Sequence, residues 1–295
     1  TGGNVIVAQA YIADVSAPEK RTQALSLSWM AFGLGYILGP AIGGVVAAIF
    51  NEQATFVLGA VISFVSLLMT WLLLDESLTP EVRAARKTLK RASMRLRDIL
   101  ANMPLVLILI IGFGVQLSLS LMTSTLALFG AAVVFVDQTP DKINLGVGLL
   151  LTGVGIGQFV TQLVLIKPMV RRYGERRLVV VGVLFRGISL LLMAALILPI
   201  LEGLSLTLFA VASGLLMPSL LALATTSVDK EHNGSVLGYY QATISLGIIA
   251  GTWLGGQFFD ITPTLPYVIG GVLLLITVLP AVALMRRVRP VTAPA

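Results

Sequence analysis

Few side chains in this sequence can do chemistry, and those few stand apart from one another. Only 12% of the residues are charged, there is a single histidine, His232, and there is no cysteine. Bond-breaking catalysis would need paired acids, a histidine cluster or a nucleophile beside its base. No long apolar run holds such a set, nor a carboxylate away from its ends, so the chain is expected not to be an enzyme. The lack of cysteine removes disulfide and thiol chemistry. What remains are amides and aromatics inside apolar runs: Asn4, Gln9, Gln116, Gln158, Gln162 and Gln241, with Trp29 and Tyr240. Such groups can hydrogen-bond or stack on a small solute in an aqueous cavity, or bond across helices as structural glue. Gln9, Trp29, Gln116, Gln158 and Gln241 are the cavity candidates. Arg186, the one charge inside a run, is a candidate by its cost in lipid. It lies eight residues from the end of its run, so a snorkelling side chain is the alternative.

The elements that must position these groups are membrane helices. Of the residues, 57% are hydrophobic, and the mean hydropathy is +0.95. Runs able to cross a hydrocarbon core of about 30 Å are Leu25–Phe50, Ala54–Leu74, Pro104–Val136, Leu145–Ile166, Leu178–Leu201, Gly203–Val228, Ser235–Phe259 and Ile261–Met285. That predicts eight complete spans. Residues 1–13 are uncharged but too few to cross, and without a basic lead or cleavage site they do not read as a signal peptide. They are expected to be the end of a longer helix. Of the 20 basic residues, 18 fall in alternate loops on one side. Lys142 lies on the other side, with Asn51, Asp137, Glu202 and Asp260, and Arg186 within a span. The positive-inside rule makes the basic side cytoplasmic. The net charge of +6 is then a topology signal, and nucleic acid is not an expected partner.

An internal repeat sets the organisation. At an offset of 212 residues, "RTQALSLSWMAFGLGYILGPAIGG" (21–44) falls on "NGSVLGYYQATISLGIIAGTWLGG" (233–256) without a gap. Gly35, Gly39, Gly43 and Gly44 meet Gly247, Gly251, Gly255 and Gly256. The paired helices are six spans apart, which implies a six-helix unit. By the same offset, about 100 residues and three helices are expected ahead of Thr1. The division is therefore 1–74 for the second half of one bundle, 75–103 for a linker, and 104–295 for a complete second bundle. Val82, Ala85, Leu89, Ala92, Leu96, Ile99 and Met103 form a helical stripe in the linker. With Thr79 and Pro80 as start signals, it reads as an amphipathic helix on the inner membrane surface.

These residues resemble the major facilitator superfamily, and within it the drug:proton antiporters. "AYIADVSAPEKR" is followed by "GLGYILGPAIGG", whose Gly35, Gly39, Pro40, Gly43 and Gly44 match the branch's fifth-helix signature. Ser26 stands at its least strict glycine, and Thr252 replaces the proline in the second copy. The resemblance implies an all-α membrane fold of two six-helix repeats, of which the fourth to twelfth helices are present. It implies that the glycine stretch seals the interface of the two halves, where the residues alone imply tight packing. It also implies a cytoplasmic gate at Asp14 and Arg21, with Arg172 and Gly174 in the related loop "KPMVRRYGERR" (167–177). In that loop Lys167 and Arg171 depart from the family pattern, and Thr226 stands at the counterpart of Asp14.

The function so implied is proton-coupled efflux of small lipophilic or cationic compounds by alternating access. No cofactor is expected, the proton gradient being the energy source. The partners would be substrate, protons and lipid, and the protein a monomer, multi-pass in a cell membrane such as a bacterial inner membrane. A facilitator-family importer of a sugar or organic acid is one alternative; a non-transporting or truncated membrane protein is another. The topology is directly testable. Cysteines at Asn51, Gln138 and Thr264 should react with an impermeant thiol reagent from outside, and cysteines at Ser93 and Asn233 only after permeabilisation. Reversed labelling would overturn the orientation.

Overall fold

In the computed structural model, the residues described are 41–74, 96–196, 198–228 and 232–287, with isolated positions between 8 and 39. Residues 41–49 are helical. The elements that follow are α1 (Glu52–Leu73), α2 (Leu96–Ala101), α3 (Met103–Phe129), α4 (Pro140–Val160), α5 (Ile166–Tyr173), α6 (Glu175–Ala195), α7 (Pro199–Thr226), α8 (Asn233–Ile261) and α9 (Leu265–Arg287). A π-helical turn extends α3 over Gly130–Val134, and another joins α4 to α5 over Thr161–Leu165. Among the described residues, seven helices are long and apolar enough to cross a membrane. The eighth expected span, Leu25–Phe50, falls largely outside the described residues, as does the linker before Leu96. The chain divides into two compact units, residues 1–92 with 139–152, and residues 93–138 with 153–295.

Local sequence accounts for the ends. Asn51 caps α1, its side chain accepting from the Ala54 N–H at 2.8 Å, which satisfies one of the orphan donors of a helix start. Asn102 does the same for α3, accepting from Leu105 at 3.2 Å, while its Nδ2 donates to the Ser227 carbonyl at 3.0 Å. One amide thus ties the start of α3 to the end of α7. Pro199 opens α7, where its missing N–H costs nothing. Gly174 divides α5 from α6 at φ 76°, ψ 154°, a conformation open essentially to glycine alone.

The larger unit is held by helix faces without side chains. A Cβ added at Gly251 of α8 would lie 2.5 Å from the Leu117 carbonyl oxygen and 2.7 Å from the Ser120 Cβ. One turn away, Gly247 meets Phe113, Gln116 and Leu117, and Gly255 meets Ser124 and Leu121. Helices α3 and α8 therefore pack backbone against backbone. Gly187 of α6 and Gly271 of α9 face each other's carbonyls at 3.2 and 3.0 Å, and Gly182 of α6 meets the Leu216 Cβ of α7 at 2.9 Å. The buried Ser118 of α3 donates to the Gly270 carbonyl of α9 at 3.0 Å. Small interfaces of this kind let dispersion and interhelical hydrogen bonds act where lipid removes the hydrophobic drive.

Two sequence expectations are corrected by these boundaries. The segment 167–177 is not a loop, because α5 runs through Lys167 to Tyr173 and only Gly174 breaks the helix before α6. Glu202 does not lie in a connecting loop either. Pro199 starts α7 early, and the carboxyl falls in its first turn, buried.

Gly251→Leu should lower the thermal unfolding midpoint of the detergent-solubilised protein, reflecting a loss of about 1–3 kcal/mol from overpacking. Gly59→Leu, at an exposed position on α1 with no described atom within 4 Å of its added Cβ, should leave the midpoint unchanged. Equal effects would show that the α3–α8 crossing is not set by the missing Cβ.

Candidate functional site

Among the described residues, two ionisable side chains of opposite type are fully buried in the larger unit. Arg186 of α6 and Glu202 of α7 are both 0% exposed. Arg186 does not snorkel to a membrane surface as its position in the sequence allows. Its guanidinium lies 4.5 Å from the centroid of the Phe209 ring on α7, where the ring's negative face replaces part of the lost hydration. Glu202 stands seven residues before Phe209, two turns away on the same face of α7 and about 10 Å along its axis. Neither Oε atom of Glu202 has a hydrogen-bond partner among the described residues.

A layer of polar and aromatic groups completes the surroundings. Tyr267 of α9 is fully buried. Its ring stacks on Phe129 at 4.4 Å between centroids, tilted by 42°. Its hydroxyl is 3.5 Å from Thr125 Oγ1 of α3. Ser205, one turn beyond Glu202 and also buried, donates to the Leu201 carbonyl at 3.0 Å. The chemistry open to this arrangement is the binding and release of a proton, or the attraction of a charged solute.

The cavity candidates sit on separate helices. Gln116 of α3 is buried with its Cβ turned toward Gly247. Gln158 of α4 is half-buried, and its carbonyl oxygen approaches Gly214 of α7 at 3.0 Å from an added Cβ. Gln241 of α8 is half-buried. Tyr240, beside it, is buried with its ring against Gly112, 3.2 Å from an added Cβ. Packing occupies that aromatic face. Gln9 and Trp29 lie outside the described residues.

In the glycine stretch, the tight contact falls on Gly44. An added Cβ there would lie 2.9 Å from the Gly148 Cα and 3.1 Å from the Asn144 carbonyl oxygen, both of α4. Gly43 makes an ordinary contact with the Thr55 methyl at 3.5 Å, and its carbonyl accepts from Thr55 Oγ1 at 3.3 Å. An added Cβ at Gly35 or Gly39 meets no described atom within 4 Å. Pro40 lies outside the described residues, as do Asp14 and Arg21 of the expected gate. Arg172 sits in the last turn of α5, its guanidinium 5.4 Å from the Tyr173 ring, and Gly174 follows.

Sequence reasoning missed Glu202, although a signal was present. A proline at 199 followed by an acid three residues on is a helix start, so the residue belongs to a helix rather than to the loop before it. Phe209 and Tyr267 carried no such signal, because an aromatic in an apolar run does not reveal which partner its ring faces.

A double-mutant cycle tests the cation–ring contact. Arg186→Met, Phe209→Leu and the double variant should show a coupling of about 1–2 kcal/mol in unfolding free energy, the magnitude of a desolvated cation–π pair. Additive effects would show that the ring does not support the guanidinium.

The family model described as Major Facilitator Superfamily matches residues 1–138 and again residues 129–295. Over 256 residues the chain is 27% identical to the class C tetracycline resistance protein of Escherichia coli, covering 85% of this chain and 61% of that protein. Over 270 residues it is 26% identical to multidrug resistance protein 2 of Bacillus subtilis (strain 168), covering 90% and 65%. The chain thus spans less than two thirds of the length of these relatives. Its fold is similar to the crystal structure of the human organic anion transporter MFSD10 (TETRAN), with a TM-score of 0.59 and 21% identity over 95% of this chain and 68% of that one. With its helices long and apolar enough to span a membrane and a family match running from end to end, the chain is a multi-pass membrane protein that belongs to the major facilitator superfamily.

Proposed function

We propose that this protein is a secondary transporter that exports small lipophilic or cationic compounds, tetracyclines among them, in exchange for protons. The observation that carries the reading is the nature of its relatives: over 85 to 90% of this chain, the similar proteins are named for tetracycline resistance and multidrug resistance. The glycine and proline stretch at 35–44 supports the same branch. The reading extends to a whole protein of which this chain matches 61 to 65% in those relatives.

In this reading two six-helix repeats rock against each other around a midplane site, opening it to one side at a time. The basic loops face the cytoplasm, the membrane is a bacterial inner membrane, and the protein works as a monomer without a cofactor. Seals between helices then come from smooth glycine faces such as that at Gly44, and the substrate cavity from amides such as Gln116, Gln158 and Gln241. The gradient, rather than a bound group, supplies the energy.

Everted vesicles containing the protein expressed from its complete reading frame should take up a lipophilic cation or tetracycline when their interior is made acid. An uncoupler should abolish that uptake. Uncoupler-resistant transport of a small sugar instead would replace the exporter with a facilitator.

A further inference from the structure

We propose that the cationic turn between α5 and α6 is a docking surface for the headgroups of anionic phospholipids on the basic side of the membrane. The inference is independent of what the protein transports.

The residues supply the charge. Segment 167–177 holds five basic side chains, Lys167, Arg171, Arg172, Arg176 and Arg177, against one acid, Glu175. Lys167, Arg171, Arg172 and Arg177 are exposed, whereas Glu175 is half-buried. Two of these cations, Lys167 and Arg171, are the positions at which the segment departs from the family pattern. They are four residues apart on α5 and share a face of it. Arg172 stands with Arg171 in the last turn, and Gly174 then ends α5 and opens α6. The turn therefore joins these cations to Arg177 at the start of a 21-residue helix, the end whose dipole favours an anion.

Length places the turn among headgroups. The helix from Pro140 through the π turn to Tyr173 runs for 34 residues. At 1.5 Å per residue that is about 50 Å, against a hydrocarbon core of about 30 Å. Leu163 and Val164 are 69% and 57% exposed, and within one turn this apolar surface gives way to Lys167. From Lys167 to Tyr173 the axis advances about 9 Å, enough to cross a headgroup layer of about 5–8 Å. Tyr173, exposed with the Arg172 guanidinium 5.4 Å from its ring centroid, is the kind of aromatic that sits in that layer. The surface is also held in place. Thr161 in the π turn is buried and donates to the Gly157 carbonyl at 2.7 Å. Its Cβ packs 2.8 Å from an added Cβ at Gly214 of α7, a place only glycine leaves open. A phosphodiester approaching the turn meets cations on a fixed helix end, while a zwitterionic headgroup also brings an ammonium that they repel. The adjoining apolar face selects a lipid over a soluble anion, because acyl chains of the same molecule can lie against Leu163 and Val164.

Lipid preference at the turn tests this in the protein expressed from its complete reading frame. A bimane label on Val164→Cys, as the one reactive thiol, reports quenching by bilayer lipids with brominated chains. As a minority lipid in phosphatidylcholine, brominated phosphatidylglycerol should be preferred over brominated phosphatidylcholine by about fivefold. Arg171→Gln with Arg172→Gln should lower the preference below about twofold, as should high salt. Arg171→Lys with Arg172→Lys, which keeps the charge, should retain it. A label on Leu204→Cys, exposed near the start of α7 at the opposite membrane surface, should show no preference. Equal quenching by the two lipids at Val164→Cys overturns the proposal, and so does a preference that survives the glutamine pair. Loss of the preference in the lysine pair overturns it too. An excess of inorganic phosphate at constant ionic strength should leave the preference unchanged; if it removed it, the occupant would be a free anion and the lipid assignment would fall.

Discussion

Backbone contact between α3 and α8 is the constraint on which the larger unit depends. In lipid no hydrophobic gain draws helices together, because the tails they displace are as apolar as leucine. Association has to come from dispersion at short range and from hydrogen bonds. Both fall off steeply unless backbones approach closely. Gly247, Gly251 and Gly255 provide that approach along two turns of α8, and the α6–α9 crossing at Gly187 and Gly271 repeats the device. Ser118 adds an interhelical hydrogen bond to the Gly270 carbonyl beside that crossing. At Gly247, Gly251 and Gly187 an added side chain fails for the same reason, since the nearest atom is a backbone carbonyl oxygen that cannot swing away.

Such packing also makes the electrostatics possible. Arg186 and Glu202 are expensive because the helices around them exclude water. The ring of Phe209 lies under the guanidinium at the place where α6 and α7 cross, and that crossing is fixed in turn by Gly182 against Leu216. A rearrangement that separates these helices would hydrate both side chains at once. Tight packing and the burial of these two groups are therefore two consequences of one arrangement.

Much of the fold was legible in the sequence because lipid imposes a coarse rule on composition. The run Pro104–Val136 anticipates the helix and π turn from Met103 to Val134, and Ser235–Phe259 anticipates α8 to within two residues at each end. Errors gather where charges sit near a helix end, since a composition scan stops at a charge and a helix does not. It cut the α4–α5 helix at Lys167, although the turns run on to Tyr173, and it assigned Glu202 to a loop three residues after the proline that begins α7. The partners of the glycine faces were not legible. Spacing of four says that glycines share a face, but not which helix that face meets. The amides posed the same difficulty, because Gln116 and Gln158 look alike in apolar runs while one is buried behind Gly247 and the other lies half-exposed beside Gly214.

The two copies of the glycine stretch show how one pattern serves two packings. In the second copy the tight contacts fall on Gly247, Gly251 and Gly255, while no described atom comes within 4 Å of an added Cβ at Gly256. In the first copy the tight contact among the described residues falls on the fourth glycine. The counterpart of Gly256, Gly44, meets the α4 backbone at 2.9 Å, and Gly35 and Gly39 have no described neighbour at that range. Adjacent residues on a helix point about 100° apart, so the contact at Gly44 lies on a face neighbouring the one that Gly247, Gly251 and Gly255 present in the second copy. At the Gly44 contact the opposing atoms are the Gly148 Cα and the Asn144 carbonyl oxygen. All of these are backbone atoms, so the closest approach at this position is of backbone to backbone. The contacts of α8, by contrast, bring side-chain atoms of Gln116, Ser120 and Ser124 to the glycine positions together with the backbone of α3. From one repeated sequence, the chain thus sets backbone against backbone in one unit, and backbone with small and amide side chains in the other.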